Sequence, residues 1–335
     1  MGLLSLIIAL LVEQLRPLSS ANVAYNAVRG TAEALERNFN AGEQQQGMLA
    51  WFILVAPLTI FAWLIYYLLL RVHPFLGLAW NALIVYLTLG FRQFSHFYTD
   101  IQLALADNDL DRARALMTDW KRASDPKFSA ADLVLSDICR LAIEEALVAS
   151  HRHVFGVFFW FVILPGPAGA VLYRLADYLA RRWTEPARAG NDAAPLEPFG
   201  LFAQRAFQWI DWLPVRLTAI GFAIVGNFED AVFCWRNHLQ QWADVSRGIL
   251  LAAGSGALGV QLGQTAGPTA RNVPEVPLAS AIDPVAAGGF DPAAEMMPGV
   301  EASPAALQSA VGLVWRSMLL WMLLLLLLSV AGLFG

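Results

Sequence analysis

Three stretches of this chain each carry eighteen or more residues without a charge: Ala50–Leu70, Pro74–Phe91 and Ser317–Gly335. Runs of that length match the thickness of a bilayer's hydrocarbon layer when helical. A helix is also the form that satisfies every backbone polar group from within one segment, so these runs constrain the fold more than any motif does. The rest of the composition agrees, with 57% hydrophobic residues, 15% charged residues and twelve tryptophans. The expectation is an all-α, multi-pass membrane helical bundle with a cytoplasmic helical insertion.

A fourth run, Val154–Tyr173, is uncharged but broken at Pro165-Gly166-Pro167, and it follows directly on Glu144-Glu145 and His151-Arg152-His153. Titratable groups at the mouth of an interrupted apolar segment are a site signal, because freed backbone groups must line a cavity or be buried in protein. Gly248–Ala270 also lacks charge, but seven of its residues are glycine or serine, which suggests a packed or re-entrant element. Met1–Val12 is short for a full crossing. It has no basic start and no small-residue cleavage site before Glu13, so it reads as an uncleaved anchor.

The organisation expected is an N-terminal anchor and membrane hairpin over 1–91 and a cytoplasmic helical insertion over 92–153. Broken membrane helices and a glycine-rich element follow over 154–266, then a disordered tether over 267–304 and a C-terminal anchor over 305–335. The tether is inferred from seven prolines and five acidic residues without apolar periodicity in Gly267–Pro304. Orientation rests on arginine and lysine: Arg92–Arg152 holds eight of them, which places that segment in the cytoplasm. A full crossing by Val154–Tyr173 would then put Arg174, Arg181, Arg182, Arg188 and Arg205 outside. A re-entrant turn at Leu164–Pro167 removes that conflict.

Several polar groups could carry chemistry. Asp137, Arg140, Glu144 and His151 fall on one stripe of helical period. They could bind an oxyanion and move a proton, or form an ion-pair ladder that holds a helix to its neighbours. His151 and His153 are two residues apart and point in different directions, which argues against a two-histidine metal site. Asp211 and Arg216 lie in DWLPVRLT, where Arg216 either binds an anionic group fixed by Asp211 or snorkels to the interface. Ser246-Arg247 precede the glycine-rich element, in which Ser255, Gly259, Gly263 and Gly267 are spaced by four as a helix-packing stripe would be. Cys139 and Cys234 are too few for a zinc site. Nothing suggests nucleic acid, and no glycine-rich nucleotide loop or GxSxG elbow is present.

The strings DWLPVRLTA (Asp211–Ala219) and GALGVQLG (Gly256–Gly263), with Arg112-Ala113-Arg114, resemble the CobD/CbiB family of membrane proteins, the adenosylcobinamide-phosphate synthases of cobalamin biosynthesis. The resemblance covers most of residues 1–265. It implies ATP-dependent amide formation between a corrinoid propionate and aminopropanol or its phosphate, with magnesium and ATP as cofactors. Glu144, Glu145 and His151 would then be catalytic, and Arg152, His153, Asp211, Arg216, Ser246 and Arg247 would bind the substrate. Arg216→Ala is expected to abolish activity without preventing insertion.

Two departures mark this chain. The family's glutamate-asparagine-x-x-aspartate element is replaced by Ala149–His153, and its arginine–aspartate–threonine site by Trp120–Pro126. A basic rim stands where synthases carry acids. Together with EQLRPL (Glu13–Leu18), these changes are similar to the AmpE branch, inner-membrane proteins tied to β-lactamase induction. The expected function is therefore cobalamin biosynthesis at the inner membrane, with a corrinoid or other anionic ligand at the cytoplasmic face and a homo-oligomer possible in the bilayer. The alternative is a non-enzymatic AmpE-like modulator.

Overall fold

The structure is a computed structural model that describes residues 2–16, 23–40, 43–122, 125, 127–184, 198–263 and 298–334. Most of the expected tether lies outside them. The described residues form an all-α, multi-pass membrane bundle with further helices in an insertion.

The first half is α1 (Gly2–Leu15), α2 (Val23–Phe39), α3 (Gln44–Val72), α4 (Pro74–Thr88), α5 (Phe91–Ala106) and α6 (Leu110–Arg122). Then α7 (Leu135–Ser150) passes through a π-helical turn (His151–Phe155) into α8 (Gly156–Ile163). The rest is α9 (Ala168–Arg182), α10 (Pro198–Val225), α11 (Phe228–Asn237), α12 (Val245–Leu258) and α13 (Pro304–Phe334).

Three helical segments are long and apolar enough to cross a membrane: α3, the continuous α7–α8 unit, and α13 to Ala331. Phe52, Ile60, Phe61 and Leu68 of α3 and Leu323, Leu327 and Leu328 of α13 stay exposed, as lipid-facing side chains do. The second apolar run differs from expectation. Helix stops at Thr88, so α4 has 15 residues, a rise of about 22 Å against an apolar layer of about 30 Å.

The hairpin expected between α3 and α4 is present. His73 is extended, Pro74 starts α4, and the His73 Nδ1 accepts from the Phe75 amide at 3.3 Å. Trp80 Nε1 closes the pair by donating to the Ala62 carbonyl at 3.0 Å.

The apolar break at 164–167 is a second reversal. Pro165 and Pro167 have no amide to continue α8, and Gly166 takes φ +66°. The returning α9 packs against α8 at the closest approach that glycine permits. A Cβ on Gly169 would sit 1.8 Å from the Trp160 carbonyl oxygen, and one on Gly156 would sit 2.2 Å from the Tyr173 ring. Arg152 and Asp177, on either side of the break, therefore lie 3.8 Å apart at one end of the molecule. Arg182 similarly lies 3.6 Å from Glu33 of α2. Arg174, Arg181 and Arg182 thus lie at the same end of the described helices as Arg152.

The small-residue stripe is corrected. The Asp244 side chain caps α12, and the helix ends at Leu258 with Gly259 left-handed at φ +65°. Gly259 and Gly263 therefore lie beyond the helix, and Gly267 falls outside the described residues. The close packing comes instead from Gly254 against Leu147 and from Gly256, whose Cβ would meet the Asp230 carbonyl at 2.2 Å. Two cores result. One joins the insertion to α11, α12 and α13, and the other joins α1–α3 to α8, α9 and the first half of α10.

Candidate functional site

The polar residues on α7 and its continuation sort into two adjoining sets. The first sits where α7 meets α12. Glu144 is buried, and its Oε1 accepts from Arg140 at 3.1 Å and from the Gly263 amide at 2.9 Å. Arg140 also donates to Asp137 at 3.0 Å and to the Gly263 carbonyl at 2.9 Å. Glu145 is 2.8 Å from Lys121 of α6 and accepts from Arg247 at 2.9 Å, while Arg247 lies 3.5 Å from the second Glu144 oxygen. Burial works against the Arg247 charge, but the Glu145 carboxylate, with Glu144 behind it, outweighs burial and holds its pKa above the ordinary arginine value. Both acids are therefore neutralised by cations already in place.

The second set lies two helical turns on, about 10 Å along the axis, where α10 replaces α12 as the neighbour. His151 Nε2 is 2.8 Å from Asp211 and its Nδ1 is 3.0 Å from the Thr218 hydroxyl. Tyr173 of α9 donates to the same Asp211 oxygen at 2.9 Å. Thr218 gives its hydroxyl proton to the Pro214 carbonyl at 3.0 Å, so it meets the ring as an acceptor.

Between the sets, Arg152 faces the charged end of α9. Its Nε is 3.8 Å from Asp177, its Nη2 is 3.9 Å from Asp244, and its guanidinium lies 6.0 Å from the Phe207 ring centre. Asp177 is fully buried and also pairs with Arg174 at 3.4 Å and closely with Arg181. His153 sits among Arg152, Arg174 and Arg181. Asp244 caps α12 through the amides of Ser246 and Arg247. The start of α12 thus joins Arg152 to the glutamates.

The nine residues singled out in the sequence are not all brought together. Glu144, Glu145, Arg152, Ser246 and Arg247 form one connected rim, with His153 at its α9 side. His151 and Asp211 are paired with each other and sealed beneath it. Arg216 stands apart: its Nη1 donates to the Trp212 carbonyl at 2.7 Å and its guanidinium lies 4.1 Å from the Trp212 ring. Asp211 and Arg216 are five residues apart, which turns them about 140° from each other on a helix.

Sequence reasoning did not single out Asp177, Asp244, Lys121, Tyr173 or Thr218. Asp177 has a readable signal, arginines three residues before it and four after. Asp244 ahead of an apolar run is a cap signal. Tyr173 and Thr218 have none, since only the packing of α9 and α10 brings them to His151.

No solved structure matches this chain. A cobalamin biosynthesis protein CobD of Stutzerimonas stutzeri is 34% identical over 239 residues, 70% of this chain and 73% of the relative. One of Chromobacterium violaceum is 34% identical over 218 residues, 65% of this chain and 64% of the relative. A cobalamin biosynthesis protein CbiB of Salmonella typhimurium is 24% identical over 229 residues, 65% of this chain and 66% of the relative. The family model described as CobD/Cbib protein matches residues 6–288, most of the membrane bundle and all of the polar rim, and on that match the chain belongs to the CobD/CbiB family.

Proposed function

We propose that this protein serves cobalamin biosynthesis at the inner membrane by binding a large anionic corrinoid at the cytoplasmic rim where α7, α9 and α12 meet. The observation that carries this reading is the looseness of Arg152. It lies within ion-pair reach of Asp177 and Asp244, at 3.8 and 3.9 Å, but hydrogen-bonds to neither. A guanidinium so placed can turn its donors to an incoming carboxylate or phosphate without first losing a short bond. Arg174, Arg181 and His153 add positive charge to the same side, and Arg247 closes the other. In this role Glu144 and Glu145 orient Arg247, Arg140 and Lys121. The His151–Asp211 pair holds α7 against α10 beneath the rim.

The amide-forming reaction of the synthases uses magnesium and ATP, and the donor set here does not fit the metal. Among the described residues no group of three His, Cys, Asp or Glu side chains could hold a metal ion. Glu144 and Glu145 each already face two cationic side chains, whereas magnesium binds through carboxylate oxygens open to it. The rim suits an anion.

The test is complementation. The full chain is expressed in a bacterium lacking its own adenosylcobinamide-phosphate synthase, and corrinoid-dependent growth is scored together with membrane insertion. Thermal stabilisation of the purified protein by adenosylcobyric acid is the expected result, and growth would show in addition that the amide-forming step runs without these acids as metal ligands. Inserted protein without growth, and without thermal stabilisation by adenosylcobyric acid, would overturn the reading. It would favour the second one, an AmpE-like modulator, which the neutralised acids support; deletion of the protein would then alter β-lactamase induction.

A further inference from the structure

At the other end of the bundle, α1, α3, α4, the α8–α9 turn and α13 line a cavity of about 330 Å³ that the rim chemistry does not use. That volume is at the lower end for small-molecule sites. Asn81 of α4 lines it, is 3% exposed, and its Oδ1 has no hydrogen-bond partner among the described residues. A buried amide oxygen left unpaired is costly, which makes it a candidate to receive a donor from outside the protein.

The α8–α9 turn adds acceptors of the same kind. The carbonyls of Phe161 and Ile163 would be met, four residues on, by Pro165 and Pro167, which have no N–H. Phe161 and Pro165 both line the cavity. No charged side chain lines it. The site therefore has no cation; its polar groups are the Asn81 amide, the Tyr66 and Ser329 hydroxyls and the freed carbonyl, all neutral.

Its depth says where a ligand comes from. Ser329, on its wall, is thirteen residues beyond Arg316, or about 20 Å along α13. Asn81 is about 10 Å along α4 from the α3–α4 turn. Both distances put the cavity inside the apolar layer, in the half away from the rim. Leu328 and Val162, on its edge, are 63% and 43% exposed, so the opening faces lipid.

We propose that this cavity binds an uncharged lipid with a hydroxyl head, of the monoacylglycerol or diacylglycerol class. The head donates to Asn81 and to the freed Phe161 carbonyl, and the chain runs out past Leu328. A phospholipid is disfavoured because its charged phosphate would enter the apolar layer at a site with no cation to pair it.

The full chain is purified in an amine-oxide detergent, which has no hydroxyl donor, and labelled with a photoactivatable monoacylglycerol. Labelled peptides are mapped by mass spectrometry. Labelling within 161–166 and 325–329, competed by unlabelled monoacylglycerol and not by phosphatidylglycerol, is expected. Asn81→Leu should reduce it about five-fold, the worth of one hydrogen bond. Leu328→Trp, at the exposed edge where folding is spared, should block entry of the probe. Equal competition by phosphatidylglycerol, or undiminished labelling in either folded variant, would overturn the proposal. So would labelling spread evenly over the lipid-facing helices, the mark of bulk solvation alone.

Discussion

His151 and Asp211 meet at 2.8 Å, 2% and 1% exposed, across the contact between the π-helical turn and α10. A buried pair of this kind is valuable chiefly because each group would be costly without the other. His151→Ala leaves the Asp211 carboxylate with Tyr173 as its one remaining hydrogen-bond donor among the described residues. The expected loss is about 3–5 kcal/mol of stability, against about 1 kcal/mol for Tyr173→Phe. Thermal unfolding in detergent measures both. A folded His151→Ala protein of near wild-type stability that has lost activity would make the ring a proton carrier instead of a clasp.

The two glutamates should separate in the same measurement. Glu144 is buried and holds a backbone amide as well as Arg140, so Glu144→Ala leaves groups that water cannot easily reach and should cost about 1–3 kcal/mol. Glu145 joins Lys121 and Arg247, which retain some solvent access and can turn outward, so Glu145→Ala should cost about 1 kcal/mol or less. Magnesium alone should not shift the unfolding temperature of the wild-type protein. A shift that Glu144→Ala removes would restore the metal-ligand role.

These residues show how far the sequence could be read. The stripe Asp137–Arg140–Glu144 was legible because ion pairs at three and four residues' spacing are local geometry. The all-α membrane class and the turn at Pro165-Gly166-Pro167 were legible because charge-free length and missing amides are local too. What surrounds His151 was not. Its direction on α7 follows from the helical period, but its partners depend on α9 and α10 packing beside it two turns past Glu144. The glycine stripe failed for a related reason: spacing by four has meaning only while the helix lasts, and Gly259 ends it. Asp211 and Arg216 share a motif in sequence yet not a face in space.

The helix–helix contacts predict opposite signs for two glycine substitutions. Gly169→Ala forces a Cβ toward the Trp160 carbonyl, where backbone of a packed hairpin must move. Destabilisation of about 1–3 kcal/mol or more is expected. Gly30, inside α2 and exposed, has nothing within 4 Å of its Cβ position. Gly30→Ala should therefore stabilise the helix by about 0.5–1 kcal/mol. Unfolding temperatures measured side by side decide it; an unaltered Gly169→Ala protein would mean that α8 and α9 are not packed this closely.

Arg216 and Arg152 offer the sharpest test of where the ligand binds. The motif reading makes Arg216→Ala inactive, but its guanidinium is folded back on Trp212 and outside the rim. Arg152 stands between two aspartates without a short bond to either. If the rim takes the anionic group, Arg152→Ala should weaken corrinoid binding by roughly ten- to a hundred-fold, the worth of a charge-assisted hydrogen bond. Arg216→Ala should change it by no more than about two-fold. Because Arg152 is also part of the ion-pair network around Asp177, Arg152→Lys is the needed companion. It keeps the charge but loses the planar fork, so it should retain stability and recover only part of the affinity. Titration of each purified variant with adenosylcobyric acid, followed by intrinsic tryptophan fluorescence, reads the series. Loss of binding in Arg216→Ala with Arg152→Ala unaffected would move the site to the outer face of α10 and away from the rim.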